Sequence, residues 1–166
     1  MPLPPNIKEW LNARGLTDVV IAANGLDWNG SEIVIPVRDA DGKVLFNKYR
    51  RNPFTTNTEL PKYRYEHGST AQLYGAEWIV PGCVVFICEG EMDALRLQSE
   101  DRVAVSSTGG AGTFKDEWIQ LLWGHEVYVC YDNDEAGMKG AAKILTMLPA
   151  KLIIIPTLVG TTPVKD

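Results

Sequence analysis

Nowhere does this 166-residue chain approach the ~18–20 consecutive apolar residues that a helix needs to cross a bilayer, so a membrane partner is not expected. Its opening, MPLPPNIKEW, has neither the basic nor the apolar region of a secretory signal, which makes the cytoplasm the expected compartment. Cysteine is scarce. Cys83, Cys88 and Cys130 show no CxxC spacing, and Cys88 and Cys130 lie in or beside apolar runs, as buried free thiols do. With His67 and His125 also lacking partners at ligand spacing, no zinc site is expected. Repeats and low-complexity tracts are absent. So is a GxxxxGK[ST] phosphate loop, although VYVCYD resembles the strand that accompanies one. GGAG at 109–112 lacks the third glycine of a dinucleotide loop, and a calcium-binding EF-hand loop opening at Asp132 fails on Ala136 and Lys143.

What is present suits one domain of ordinary size or a compact domain with a small appendage: 45% hydrophobic residues, 22% charged residues and a net charge of −5. The mean charge hides a segregation. From Arg38 to Tyr65 seven bases accompany three acids, and from Phe86 to Glu135 eleven acids accompany three bases. Two ordinary solvated surfaces would explain this, and so would a polyanion held beside a metal-rich centre.

Residues 6–14 and 17–23 read as short helices around Gly15. EIVIPVRDADGKVLFNKYR reads as a β-hairpin turning at Asp41-Gly42, with Ile33, Ile35 and Val37 alternating on one strand and Val44, Phe46 and Lys48 on the other. Residues 52–82, rich in Thr, Pro, Tyr and Gly, read as mostly irregular. From residue 83 the pattern becomes strand–helix alternation: strands at 83–88, RVAVSS, EVYVCY and KLIIIP, and helices near 91–99, 115–123 and 135–147. That rhythm predicts an α/β fold with a parallel sheet flanked by helices, preceded by a small α+β subdomain. The expected division is 1–82 and 83–166. Right-handed crossovers bring the strand ends to one rim, where open sheets of this kind bind ligands.

Acids collect at that rim. VVFIC runs into Glu89-Gly90, with Glu91 and Asp93 in the first helical turn, and VYVCY runs into Asp132-Asn133-Asp134. Acids in a first turn stabilise a helix by ~0.3–1 kcal/mol each without further purpose, and Asp134 has the position of an N-cap. Two strand ends carrying carboxylates on one rim also make an oxygen-only site suited to Mg²⁺ or Mn²⁺. The glycines of the 109–112 loop permit a turn, or a close approach of backbone N–H groups to phosphate.

EGEMDAL, SSTGGAG and DNDEAG, in that order, resemble the three-part signature of the Toprim domain, in its primase branch. Upstream, WLNARGLTDVVI, IVIPVRDADGKVLFNKYRRNP and PKYRYEHGSTAQLYGAEW resemble the amino-terminal part of the bacterial and phage-type primase polymerase core, as found in the primase portions of phage or plasmid replication proteins. The resemblance spans nearly the whole chain. It implies metal binding or general-base work for Glu89, a catalytic acid at Asp93, metal binding by Asp132 and Asp134, and a further acid at Asp166 in the terminal PVKD. It places Lys48, Arg50, Arg51, Lys62 and Arg64, with Gly109 and Gly110, on the surface for template and nucleotide phosphates.

The implied activity is DNA-templated synthesis of short RNA primers from nucleoside triphosphates, dependent on Mg²⁺ or Mn²⁺. The implied partners are single-stranded DNA, nucleoside triphosphates and a replicative helicase or fused helicase domain, in a bacterial or phage-infected cell. Tyr49, Tyr63 and Tyr65 are available for base stacking. The zinc-binding module usual in such primases has no counterpart here, so the chain reads as a bare core, either a natural minimal protein or a piece of a longer one. Two other readings use the same residues: a Toprim phosphodiester hydrolase with water as nucleophile, and a catalytically weak module that binds single-stranded DNA or docks a helicase.

Overall fold

Alternating hydrophobicity builds the first layer. In a computed structural model, which describes residues 1–57 and 59–156 and the backbone of 158–159 and 162–163, α1 (Pro5–Ala13) and α2 (Asp18–Ala23) precede a four-stranded antiparallel sheet in the order β1 (Asp27–Trp28), β2 (Glu32–Arg38), β3 (Val44–Arg51) and β4 (Tyr63–Tyr65). Side chains alternate across a strand, so Ile33, Ile35 and Val37 of β2 all point inward and are fully buried. The inward positions of β3 are Phe46, Lys48 and Arg50. The same alternation that buries a phenylalanine therefore carries two cations into the interior. Asp41-Gly42 makes the turn, Gly42 adopting φ +82°.

The second layer is a five-stranded sheet in the order β5-β7-β6-β8-β9, formed by β5 (Leu73–Tyr74), β6 (Val84–Cys88), β7 (Val103–Ser107), β8 (Glu126–Cys130) and β9 (Lys151–Leu152). β7, β6, β8 and β9 are parallel, and β5 is an antiparallel edge on β7. Helices α3 (Glu91–Gln98), α4 (Ile119–Leu122) and α5 (Glu135–Met147) make the crossovers. α3 lies on one face, where Met92, Ala94 and Leu95 share a core with Ile7, Leu11 and the inner side of the first sheet. α5 covers the other face through Ala141 and Ile144, with Phe114, Trp118 and Leu122 beside it. The chain thus leaves β6 and its neighbour β8 toward opposite faces, and the crevice this opens at their C-terminal ends is where doubly wound sheets hold ligands. A two-residue ladder, β10 (Leu158–Val159) with β11 (Thr162–Pro163), completes the elements.

The α/β reading holds, with three local differences. Residues 52–82 contain β4, β5 and a 3-10 turn at Ala76–Trp78, because both short strands are stabilised by partners distant in sequence. The region near 115–123 is a 3-10 turn at Asp116–Trp118 followed by a four-residue α4, closed by Gly124 at φ +84°. KLIIIP pairs only over Lys151–Leu152. Among the described residues, no helix is long and apolar enough to cross a membrane.

A candidate active site at the carboxylate rim

Parallel register sets Cys88 beside Cys130, so the next residues of both strands emerge together. Glu89 accepts a hydrogen bond from the Asp132 N–H at 3.3 Å. Partial burial pushes the Glu89 carboxyl above its ordinary range, and repulsion from Asp132, Asp134 and Asp93 adds to this against the Asp132 amide bond. Gly90 lets the chain turn into α3, and its N–H donates to Asp93 at 3.2 Å. Asp134 caps α5, accepting from the Gly137 N–H at 2.7 Å. The acids that the sequence placed at the rim therefore share one field. Asp134 also performs the capping that its position suggested, and Asp93, read from its position only as a first-turn acid, closes a capping contact with Gly90. Asp166 lies outside the described residues.

Gly137 is what lets α5 start so close to the rim. A Cβ there would stand 2.2 Å from the Asp132 carbonyl oxygen and 2.9 Å from a Glu89 carboxylate oxygen. One turn on, a Cβ at Gly140 would meet the Ala111 carbonyl at 2.5 Å. The two glycines bring the helix against both rim loops at once.

A cleft of about 330 Å³ is lined by Arg14, Arg50, Lys62, Tyr63 and Tyr65 together with Glu89, Asp93 and Asp132 and with Thr108-Gly109-Gly110. Arg50, 8% exposed, lies between the rings of Trp10 and Tyr63 at 4.9 and 5.1 Å and donates to the Tyr63 hydroxyl. Its buried Nε has no hydrogen-bond partner among the described residues. Burial raises the Tyr63 phenol to about 12, against the pull of Arg50. Arg14 also lies over the Trp10 ring, 5.2 Å from its centre.

The basic residues of β3 divide by strand parity. Lys48 and Arg50 border this cleft, joined by Lys62 from the segment ahead of β4. Arg51 and Arg64 border a separate groove with Glu32 and Leu60, where Arg51 donates to the Leu60 carbonyl and Arg64 is held by Glu32 over the Tyr49 ring at 3.8 Å. The amides of Gly109 and Gly110 turn into their own loop, toward the Ser107 hydroxyl at 3.4 Å and the Ser107 carbonyl at 3.1 Å.

Lys48 is 4% exposed and Glu91 1%, and they form a buried ion pair at 2.6 Å. Burial pushes the Glu91 carboxyl up and the Lys48 ammonium opposes this. Sequence reasoning gave Glu91 only a helix-end role. The inward parity of Lys48 was visible, but its partner 43 residues away was not. Arg14 was missed as well, its sole local signal being a cation at the end of α1 ahead of Gly15.

Among the described residues, no group of three His, Cys, Asp or Glu side chains is gathered tightly enough to cage an ion. Mg²⁺ needs no such cage, since it takes one or two carboxylates and completes its shell with water and substrate phosphates. Glu89, whose carboxyl is pushed up by burial, and Asp132 are hard oxygen donors in the lining of one cleft, and they fit that role.

Residues 86–164 match a family model described as Toprim-like. The chain is 30% identical over 126 residues to the DNA primase of Aquifex aeolicus (strain VF5), an alignment covering 70% of this chain and 25% of that protein. Over these stretches the chain is similar to Toprim-like domains and to a DNA primase. Its fold is that of primase catalytic cores. The Aquifex aeolicus primase structure containing zinc-binding and RNA polymerase domains superposes with TM-score 0.77 at 22% identity, over 92% of this chain and 50% of that one. The primase fragment of the bacteriophage T7 primase-helicase protein gives 0.69 at 24%, over 87% and 64%. The DnaG primase catalytic domain bound to single-stranded DNA gives 0.73 at 23%, over 94% and 67%. The chain thus spans a quarter of the curated relative and half of the Aquifex structure.

Proposed function

We propose that this chain is the catalytic core of a DNA primase, joining nucleoside triphosphates into short RNA primers along a single-stranded DNA template. The observation that carries the proposal is the presence of Glu89, Asp93 and Asp132 together with Arg14, Arg50 and Lys62 in the lining of one cleft, in a primase fold. Glu89 and Asp132 would hold a divalent ion, Mg²⁺ or Mn²⁺, with Asp134 contributing from the head of α5. Such an ion neutralises the triphosphate, lowers the pKa of the attacking 3′-hydroxyl and stabilises the departing pyrophosphate. Arg14 and Lys62 bind the triphosphate or template phosphates, and Arg50, which lines the same cleft, adds positive charge to that surface. Tyr65 offers a face for a base.

In this reading residues 1–82 supply the cationic wall and residues 83–166 the acidic one. A hydrolase would account for the acids but not for cations buried on the inner face of a separate sheet. Single-stranded DNA and a helicase, named with the DnaG and T7 proteins above, are the partners proposed here, with action in a bacterial or phage-infected cytoplasm.

The test is incorporation of labelled ribonucleotides on single-stranded DNA with Mg²⁺ or Mn²⁺, native chain against Asp132→Asn. Short RNA products lost in the variant support the proposal. Extension of an annealed primer alone places the defect in initiation. Tight template binding with no synthesis in either format sinks the enzyme reading in favour of a binding module, and metal-dependent cleavage of the template replaces it with the hydrolase.

A further inference from the structure

Three elements that meet nowhere in the sequence converge on Lys48. Its ammonium donates to Glu91 at 2.6 Å and to the Thr108 carbonyl at 2.8 Å, with the rings of Tyr63 and Tyr65 at 4.6 and 5.0 Å. Lys48 belongs to β3 of the first sheet, Glu91 opens the helix two residues after Glu89, and Thr108 heads the glycine loop after β7. Thr108 is fully buried and fastened at every polar group. Its carbonyl also accepts from the Tyr65 hydroxyl, its hydroxyl accepts from the Gln72 N–H at 2.9 Å, and its own N–H donates to the Gln72 carbonyl at 3.0 Å.

Stability does not account for such a pair. Two buried charges gain roughly what their desolvation costs, and apolar residues of the same volume commonly do as well. What an ion pair adds is one permitted geometry. An ammonium with two of its protons on Glu91 and Thr108 is also poorly placed to serve as an additional phosphate ligand.

We propose that the Lys48–Glu91 pair is a positioning strut, clamping the Thr108 carbonyl at the head of the glycine loop to the helix that leaves the Glu89 strand, and so holding loop and carboxylate rim at one spacing. Lys48 and Glu91 are then positioning residues that act through Thr108 and Glu89. The catalytic consequence rests on the primase reading, whereas the mechanical one does not.

The experiment compares the native chain with Lys48→Met, Glu91→Met and the double variant Lys48→Met/Glu91→Met. Urea midpoints, amide hydrogen exchange and steady-state extension of an annealed primer are measured on each. Each single variant leaves one buried charge or hydrogen-bonding partner alone and should lose stability, while the apolar pair should regain the native midpoint. The strut requires that the recovered double variant still exchange its Thr108, Gly110 and Thr113 amides about tenfold faster or more, with α5 amides unchanged. It also requires a kcat lowered about tenfold or more, with the nucleotide KM within about threefold of native. Native-like loop exchange in the double variant overturns the proposal, as does recovery of kcat together with stability. A nucleotide KM raised about tenfold by Lys48→Met at unchanged kcat and exchange makes Lys48 a phosphate ligand and overturns it too. If the native chain extends no primer, the primase reading fails, while loop exchange still decides the strut.

Discussion

Replacing Gly137 by alanine tests how closely the rim is packed. The added Cβ would lie 2.2 Å from the Asp132 carbonyl oxygen and 2.9 Å from Glu89. Relief to the 3.0 Å below which real Cβ atoms are essentially never found takes roughly 0.8 Å of movement, in either α5 or the Asp132 loop, since the obstructing atom is backbone. Overpacking of this kind costs about 1–3 kcal/mol, and alanine returns about 1 kcal/mol of helix propensity. The net loss of stability should fall between nothing and about 2 kcal/mol. Activity should suffer far more, because an error approaching 1 Å in a catalytic constellation costs on the order of 10²-fold. Urea midpoints and Mg²⁺-dependent primer extension measure the two effects. The control is Gly112→Ala, where a Cβ meets nothing within 4 Å and stability should stay within about 0.5 kcal/mol. A Gly137→Ala protein that is more stable than native and fully active would refute the close approach of helix and rim.

Asp134 both caps α5 and carries a rim charge. Asp134→Asn should therefore keep the thermal midpoint while reducing metal-dependent synthesis, and Asp134→Ala should lose about 1 kcal/mol in addition. Glu77 has its carboxyl pushed up, first by burial and then by Asp39, and one buried carboxylate oxygen without a hydrogen-bond partner among the described residues. A raised folded-state pKa means that its favourable contribution is present below the ordinary carboxylate pKa and is lost as pH rises through the folded value. Glu77→Gln should accordingly raise the melting temperature at pH 7, by an amount that shrinks toward pH 4; equal gains at both pH values would contradict this cause. Single-stranded DNA binding, followed by fluorescence anisotropy against salt, should lose about 0.7 from its log–log slope on Lys62→Ala if that side chain meets one phosphate. Arg64→Ala should change the slope less, because Glu32 already holds that guanidinium.

Much of the fold was legible because its signals are local. The apolar runs ending at Cys88 and Cys130, each followed by helical spacing, specify strands and helices whatever lies around them, and the crossover rule then puts Glu89 and Asp132 on one rim. The hairpin was equally plain in Ile33, Ile35 and Val37. β4 and β5 were missed because strands of two or three residues carry almost no periodicity and exist through pairing with Lys48–Arg50 and with Ser106–Ser107.

The basic stretch shows where local signals end. The family resemblance groups Lys48, Arg50, Arg51, Lys62 and Arg64 as one surface. The tertiary structure turns Lys48 and Arg50 inward, and it sets Arg51 and Arg64 beside a different groove. By itself the sequence determined which residues alternate and where strands stop, since both follow from backbone geometry over a few residues. Only the tertiary structure decided that Lys48 meets Glu91 and Thr108, 43 and 60 residues on, and that Arg14 reaches the same cleft. A buried charge has no local preference for its partner; the packing of the two sheets brings the partner within reach.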